Sequence, residues 1–230
     1  MRTARVLLSL SAIVVPLVAA APAAAAAPRV PDACAVPPDI DLTQFNVIIG
    51  TNQSEEILGT NGPDFICGRL GDDVIRALDG NDLVLSDTTT FFGNVDARGG
   101  NDTVFGGEGD DQILTGPGND RAFGDGGNDF LALAVGDDFG KGGGGDDAIQ
   151  GGFGRDRIDA GPGNDFAAGG PGDDNLDGGS GDDSLFGALP PGSPPPPPGV
   201  PLPPAGHDVC DGGNGTDFGL DCDVRTALEA

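Results

Sequence analysis

Tryptophan and tyrosine are absent from this 230-residue chain, and histidine and methionine occur once each. Aromatic residues make up 5% of the sequence, all of them phenylalanine, so a bulky aromatic core is excluded. A single histidine, His207, excludes a histidine-built zinc site, and neither H-E-x-x-H nor G-x-S-x-G occurs. Paired carboxylates for glycoside cleavage would need an apolar pocket to raise one pKa, and the composition offers none. Positive charge is scarce: 11 Lys and Arg against 37 Asp and Glu give a formal net charge of −26. Such a surface repels nucleic acid and anionic membranes and attracts cations. Beyond the first 27 residues no apolar run approaches the ~20 residues needed to span a bilayer.

What the chain has instead is glycine, 42 of them, on a fixed period. From Ala97 to Phe186 a nine-residue unit repeats ten times, with glycine at place four and aspartate at place six. The aspartates are Asp102, Asp111, Asp120, Asp129, Asp138, Asp147, Asp156, Asp165, Asp174 and Asp183. A large apolar residue usually stands two places on, as in Val104, Ile113, Leu131, Ile149, Ile158, Leu176 and Leu185. Asp64, Asp73 and Asp82 keep the same register, with Ile66, Ile75 and Val84. Glu55 with Ile57, and Asn46 with Ile48, read as worn copies, and Gly212 to Leu220 with Asp217 as a last one. Between Asp82 and Asp102 one unit, Ser86 to Asp96, has lost the motif, and Thr88 to Phe92 are expected to loop out.

Each place has a physical reason. A chain that bends every nine residues needs left-handed backbone, which glycine adopts without a Cβ clash. Three residues after the aspartate form a short strand whose middle side chain points inward. Ca²⁺ takes six to eight oxygens, and backbone carbonyls of two bends plus carboxylates supply that number. The unit therefore reads as G-G-x-G-x-D-x-U-x, with U apolar, the pattern of a parallel β-helix whose turns hold Ca²⁺. Two units make one coil, so residues 18 apart should stack, placing Asp102 over Asp120, Asp111 over Asp129, Asp147 over Asp165, Asp156 over Asp174 and Asp165 over Asp183. By the same step Phe105 and Phe123 should stack on one outer face, and Phe130 and Phe166 should share the other, as edge packing or as an apolar stripe for a partner.

The runs Gly142 to Ile149 and Gly178 to Leu185 resemble the haemolysin-type calcium-binding repeats of RTX proteins. The resemblance covers about Val47 to Phe186 and the short C-terminal copy. It implies an all-β fold, a right-handed parallel β-roll of two sheets, which binds several Ca²⁺ ions outside the cell and folds on doing so. The implied metal ligands are Asp64, Asp73, Asp82 and the series Asp102 to Asp183. Bend glycines would aid them: Gly107, Gly109, Gly118, Gly127, Gly143, Gly145, Gly152, Gly154, Gly163, Gly170, Gly172, Gly179 and Gly181. One aliphatic side chain per nine residues buries little apolar area against the entropy of ordering so glycine-rich a chain. The repeats should therefore be largely unfolded without Ca²⁺.

The units are uneven. Leu133 to Lys141 lacks the first two glycines and has Gly140 where the apolar residue belongs; Ala122 and Ala167 are small. The core should be thin there, and the Asp138 turn is the one least suited to metal. Gln53 and Glu55 replace glycine and aspartate in the first copy, which weakens that turn.

The rest of the chain frames the repeats. Residues 1–27, with Arg2, Arg5, an apolar stretch and an alanine tract, have the pattern of a secretory signal peptide. Residues 28–45 form an N-terminal arm, 46–96 a first repeat block with its degenerate insertion, 97–186 the ten tandem repeats, 187–206 a proline-rich insertion of polyproline II character, and 207–230 a C-terminal cap. Four cysteines in an exported chain are expected to pair, with three connectivities open. We favour Cys210–Cys222 as a clasp on the cap, with Cys34–Cys67 tying the arm down. The expected function is a secreted, non-enzymatic Ca²⁺-binding repeat protein with calcium as cofactor, no nucleic-acid partner and no membrane span. A calcium-stiffened surface or adhesion protein facing a cell-wall component, or an accessory module of an extracellular enzyme, are the alternatives.

Overall fold

The structure is a computed structural model that describes Cys34 and residues 42–87, 99–187, 208–216, 218–220, 222 and 224–226. The leader, the expected Thr88 to Phe92 loop, the proline-rich insertion, His207 and Asp217 lie outside the described residues.

Strands alternate between two parallel sheets. The first contains β1 (Asn46–Ile49), β3 (Asp64–Arg69), β5 (Leu83–Asp87), β7 (Gln112–Leu114), β9 (Phe130–Val135), β11 (Ala148–Phe153), β13 (Phe166–Ala168), β15 (Ser184–Phe186) and β17 (Phe218–Leu220). The second contains β2 (Glu56–Leu58), β4 (Val74–Asp79), β6 (Thr103–Glu108), β8 (Arg121–Gly126), β10 (Phe139–Gly144), β12 (Arg157–Pro162), β14 (Asn175–Ser180), β16 (Val209–Asp211) and β18 (Val224–Thr226). This is the expected β-roll. Its coil is 18 residues long: Phe105 pairs with Phe123, and Ile149 with Leu131 and Ala167. Two coils are longer. Val74 pairs with Thr103, 29 residues on, and Leu176 with Cys210, 34 on, so each exceeds the 18-residue step, by eleven and sixteen residues. The register survives both. Many strands are six residues long rather than three, because the pairing continues through the first places of the next bend.

The side chain two places after each aspartate points inward. Ile66, Ile75, Val84, Val104, Ile113, Leu131, Ile149, Ile158, Leu176 and Leu185 form one continuous buried core. At Gly140 the expected thinning does not follow, whereas Ala122 and Ala167 remain small residues of the core. Gly140 contributes nothing, but Leu133, at place one of the same unit, is fully buried and occupies the gap. A Cβ on Gly140 would stand 3.0 Å from Leu133 Cδ1 and 3.1 Å from Ile149 Cγ2.

The outer faces are not uniform. On the first sheet Phe65, Cys67, Leu83 and Leu85 are buried, covered by Cys34, Leu42 and Phe45 with Leu114. Cys34 is bonded to Cys67, which ties it to β3, and Cys210 is bonded to Cys222 at the other end. On the second sheet Phe105 stacks on Phe123 with centroids 4.9 Å apart, and Arg76 lies over the Phe105 ring at 4.6 Å. On the first, Phe166, Phe186 and Phe218 form another row.

Candidate metal centre

The bends form two edges, one where the chain passes from the second sheet to the first and one where it returns. Asp64, Asp82, Asp111, Asp129, Asp147, Asp165 and Asp183 stand on the first edge. Asp73, Asp102, Asp120, Asp138, Asp156, Asp174 and Asp208 stand on the second. Every one of these carboxylates is almost completely buried. Each accepts through Oδ1, and from Asp82 and Asp102 onward the donor is the backbone N–H of the aspartate one coil earlier, at 2.7–2.9 Å. The aspartates are thus the rivets between coils, a role that their periodicity alone does not reveal.

The other oxygen is different. In Asp73, Asp82, Asp102, Asp111, Asp120, Asp129, Asp138, Asp147, Asp156, Asp165 and Asp174, Oδ2 is buried with no hydrogen-bond partner. A buried carboxylate oxygen in that condition is costly unless a cation or a proton meets it. Burial is the first cause of the resulting shifts, and the N–H bond to each carboxylate opposes it. Asp73, Asp82, Asp129 and Asp147 are pushed up to about 6, and Asp111, Asp120, Asp156 and Asp165 to about 7. Asp138 and Asp174 rise to about 8, with repulsion from Asp156 contributing to both.

Glycine at place one shapes the space beside Oδ2. A Cβ on Gly106 would meet Asp111 Oδ2 at 2.4 Å and the Gly124 carbonyl oxygen at 2.7 Å. On Gly124 it would meet Asp129 Oδ2 and Gly142 O; on Gly142, Asp147 Oδ2 and Ala160 O; on Gly151, Asp156 Oδ2 and Gly169 O. Carboxylate and carbonyl oxygens therefore converge where the side chain is missing, a donor set suited to a hard divalent cation. Among the described residues no three His, Cys, Asp or Glu side chains converge on one point, so carbonyls must supply much of any coordination. The glycines at places two and four, such as Gly107, Gly109, Gly127, Gly143 and Gly145, have φ between 118° and 134°, which turns the chain.

Not all bends are alike. Place one is Ala77, Thr115, Leu133 and Ala160 in the units of Asp82, Asp120, Asp138 and Asp165, and all four side chains are buried. The Thr115 hydroxyl donates to Leu133 O at 2.8 Å and the Ser86 hydroxyl to Thr115 O at 2.7 Å, engaging carbonyls of the kind that face Oδ2 elsewhere. Asp64 is also distinct: Thr60 donates to both of its oxygens and Asn46 Nδ2 to Oδ1, so its carboxylate is satisfied within the chain. In the first copy Glu55 Oε1 accepts the Thr51 N–H.

Two features escape the sequence pattern. Asp208 is buried and accepts the Asp174 N–H, with Cys210 in the apolar place, so it heads a repeat unit that the proline-rich insertion hides. Place five carries a second thread. Asp110, Asn128, Asp146, Asn164 and Asp182 alternate along the first edge, each receiving the N–H of the place-five residue one coil later. With Asn at two of these five positions, the row carries less charge than an unbroken line of aspartates.

The fold and its two rows define a calcium-type β-roll built of nonapeptides. The sequence matches the family model described as RTX calcium-binding nonapeptide repeat (4 copies), over residues 49–84, 96–131, 134–167, 161–189 and 205–218. The chain belongs to the RTX calcium-binding nonapeptide repeat family. No curated protein matches it.

Proposed function

We propose that this chain is an exported, non-enzymatic rod that becomes ordered by taking up several Ca²⁺ ions along its two edges. The observation that carries the reading is the row of buried Oδ2 atoms without hydrogen-bond partners, which in Asp73, Asp111, Asp129, Asp147, Asp156 and Asp174 lie beside a glycine whose missing side chain leaves room. Calcium supplies positive charge to carboxylates that burial otherwise drives toward protonation. The strong positions are the units that keep glycine at place one: Asp73, Asp111, Asp129, Asp147, Asp156, Asp174 and Asp183. The bends of Asp82, Asp120, Asp138 and Asp165, with a side chain at that place, and Asp64, with its oxygens already bonded, bind more weakly or not at all. Export is supported by the leader pattern of residues 1–27 and by two disulfides, which persist in oxidising compartments.

The test is to count ions by native mass spectrometry on the full chain while far-UV circular dichroism follows a Ca²⁺ titration. Several ions bound, with β signal lost in EDTA, are expected. Equal order after exhaustive chelation would overturn the reading.

A further inference from the structure

Place two of the bend is where the chain turns left-handed. Arg69, Leu78, Asp125 and Ala134 stand there with φ of 73° to 88°, and Gly107, Gly143, Gly152, Gly161, Gly170 and Gly179 elsewhere do the same. Their side chains, where present, point away from the core; Asp125 is exposed. Asp87 occupies the same place, paired in register with Arg69. It does not share the positive φ, and its side chain is 1% exposed. The same residue type at the same place therefore faces outward in one bend and inward in another. The difference coincides with the lengthened bend between β5 and β6, the one that carries eleven added residues.

Inside, Asp87 Oδ2 accepts the Gly100 N–H at 3.0 Å, while Oδ1 is buried and has no hydrogen-bond partner. The carboxylates that repel it most are Asp102, then Asp120 and Asp73, all from the row on that edge. Asp102 Oδ2 is likewise buried; the nearby Ser86 hydroxyl favours its charged form, but that hydroxyl donates its proton to the Thr115 carbonyl, which leaves Oδ2 without a hydrogen-bond partner. In this bend the Thr115 carbonyl is engaged by the Ser86 hydroxyl, so the usual place-one carbonyl is taken. A second carboxylate has entered where a carbonyl has been withdrawn. Among the described residues no lysine or arginine is bonded to Asp87, and a cation is the species that both orphaned oxygens can share.

We propose that Asp87, which lies outside the repeat pattern, joins Asp102 in holding a divalent cation, making the lengthened bend a carboxylate-rich site unlike its neighbours. The inference rests on the reading that the repeats hold Ca²⁺. Asp87→Asn keeps the acceptor for the Gly100 N–H and removes the charge. Asp125→Asn, at the same place but exposed, is the control. In native mass spectrometry of the full chain at saturating Ca²⁺, Asp87→Asn is expected to lose one ion, or to weaken one site at least tenfold by calorimetry, with Asp125→Asn unchanged. An Asp87→Asn chain with the same ion count and affinities overturns the inference; a wild-type chain that binds no ions overturns the parent reading instead. Should the variant not fold, the wild-type crystal at millimolar Ca²⁺ decides. A cation within about 2.3–2.6 Å of Asp87 Oδ1 is expected, and an oxygen meeting only protein or water, as in a proton-sharing pair, overturns it.

Discussion

The unit Leu133 to Lys141 breaks the repeat rule twice, and the two breaks are expected to be one compensated change. Leu133 stands where glycine belongs and Gly140 where the apolar residue belongs, yet the core is continuous because the leucine covers the glycine. Leu133→Ala removes a fully buried isobutyl group opposite a residue with no side chain to move into the gap. The cavity therefore persists, and the loss should lie in the upper part of the about 2–5 kcal/mol range for such truncations. Gly140→Val adds a branched side chain whose Cβ would begin 3.0 Å from Leu133 Cδ1 and 3.1 Å from Ile149 Cγ2. Overpacking of this kind costs about 1–3 kcal/mol. In the double variant the added valine fills the space that the shortened residue vacates, so the combined loss should fall short of the sum by about 1–3 kcal/mol, the size of coupling between contacting residues. Urea denaturation of all four proteins at saturating Ca²⁺, followed by circular dichroism, measures the cycle. Additive losses would refute the reasoning, since they would mean that positions 133 and 140 do not share one cavity.

Four further outcomes are expected. In Gly124→Ala the new Cβ would meet Asp129 Oδ2 at 2.2 Å and Gly142 O at 2.6 Å, so ion counting should find one fewer Ca²⁺. Leu133→Gly restores the missing glycine at place one, and the same count should rise by one. Without Ca²⁺, β signal should grow as pH falls from 8 to 5.5: the folded carboxyls titrate near 6–8, against an ordinary value near 4 in the unfolded chain, so the fold holds more protons in that window and loses stability as pH rises. With saturating Ca²⁺ the trend should reverse, because protons then displace the ion. Replacing Cys210 and Cys222 by serine should cost about 2–4 kcal/mol of unfolding free energy, read from urea curves under non-reducing conditions.

Much of this architecture was legible because the period is strict. A step of nine with aspartate at place six fixes the coil, the inward residue and the stacking of Phe105 on Phe123, and each appears as expected. What the pattern could not convey is where replacements compensate one another. Gly140 read alone as a hole, since only the paired strands bring Leu133 against it. Asp208 was hidden because sixteen added residues displaced it from the count, although Cys210 two places on was a usable signal. Asp64 keeps glycine at places one and four, but Thr60, standing at place two where the pattern has glycine, and Asn46 satisfy its oxygens, and nothing in the period reports those hydrogen bonds. Asp87 was invisible for the opposite reason: it occupies a place where the family pattern has glycine.

The departures are not scattered evenly, and their distribution follows from how a β-roll tolerates change. Both lengthened connections, from β5 to β6 and from β15 to β16, run from the first sheet to the second and so fall on the same edge. Ser86, Thr115 and Leu133 crowd place one on that edge too. The opposite edge keeps an 18-residue step from Asp111 to Asp183, with glycine at place one in four of its five bends there. Lengthening a bend costs only slowly growing loop-closure entropy, whereas shifting a strand by one residue would turn every core side chain outward. Insertions are therefore cheap in a bend, but they disturb the oxygens that the bend gathers. Confining them to one edge leaves the other as an unbroken row able to clamp successive coils. A chelator titration should accordingly resolve two classes of site, with the uninterrupted edge releasing its ions last.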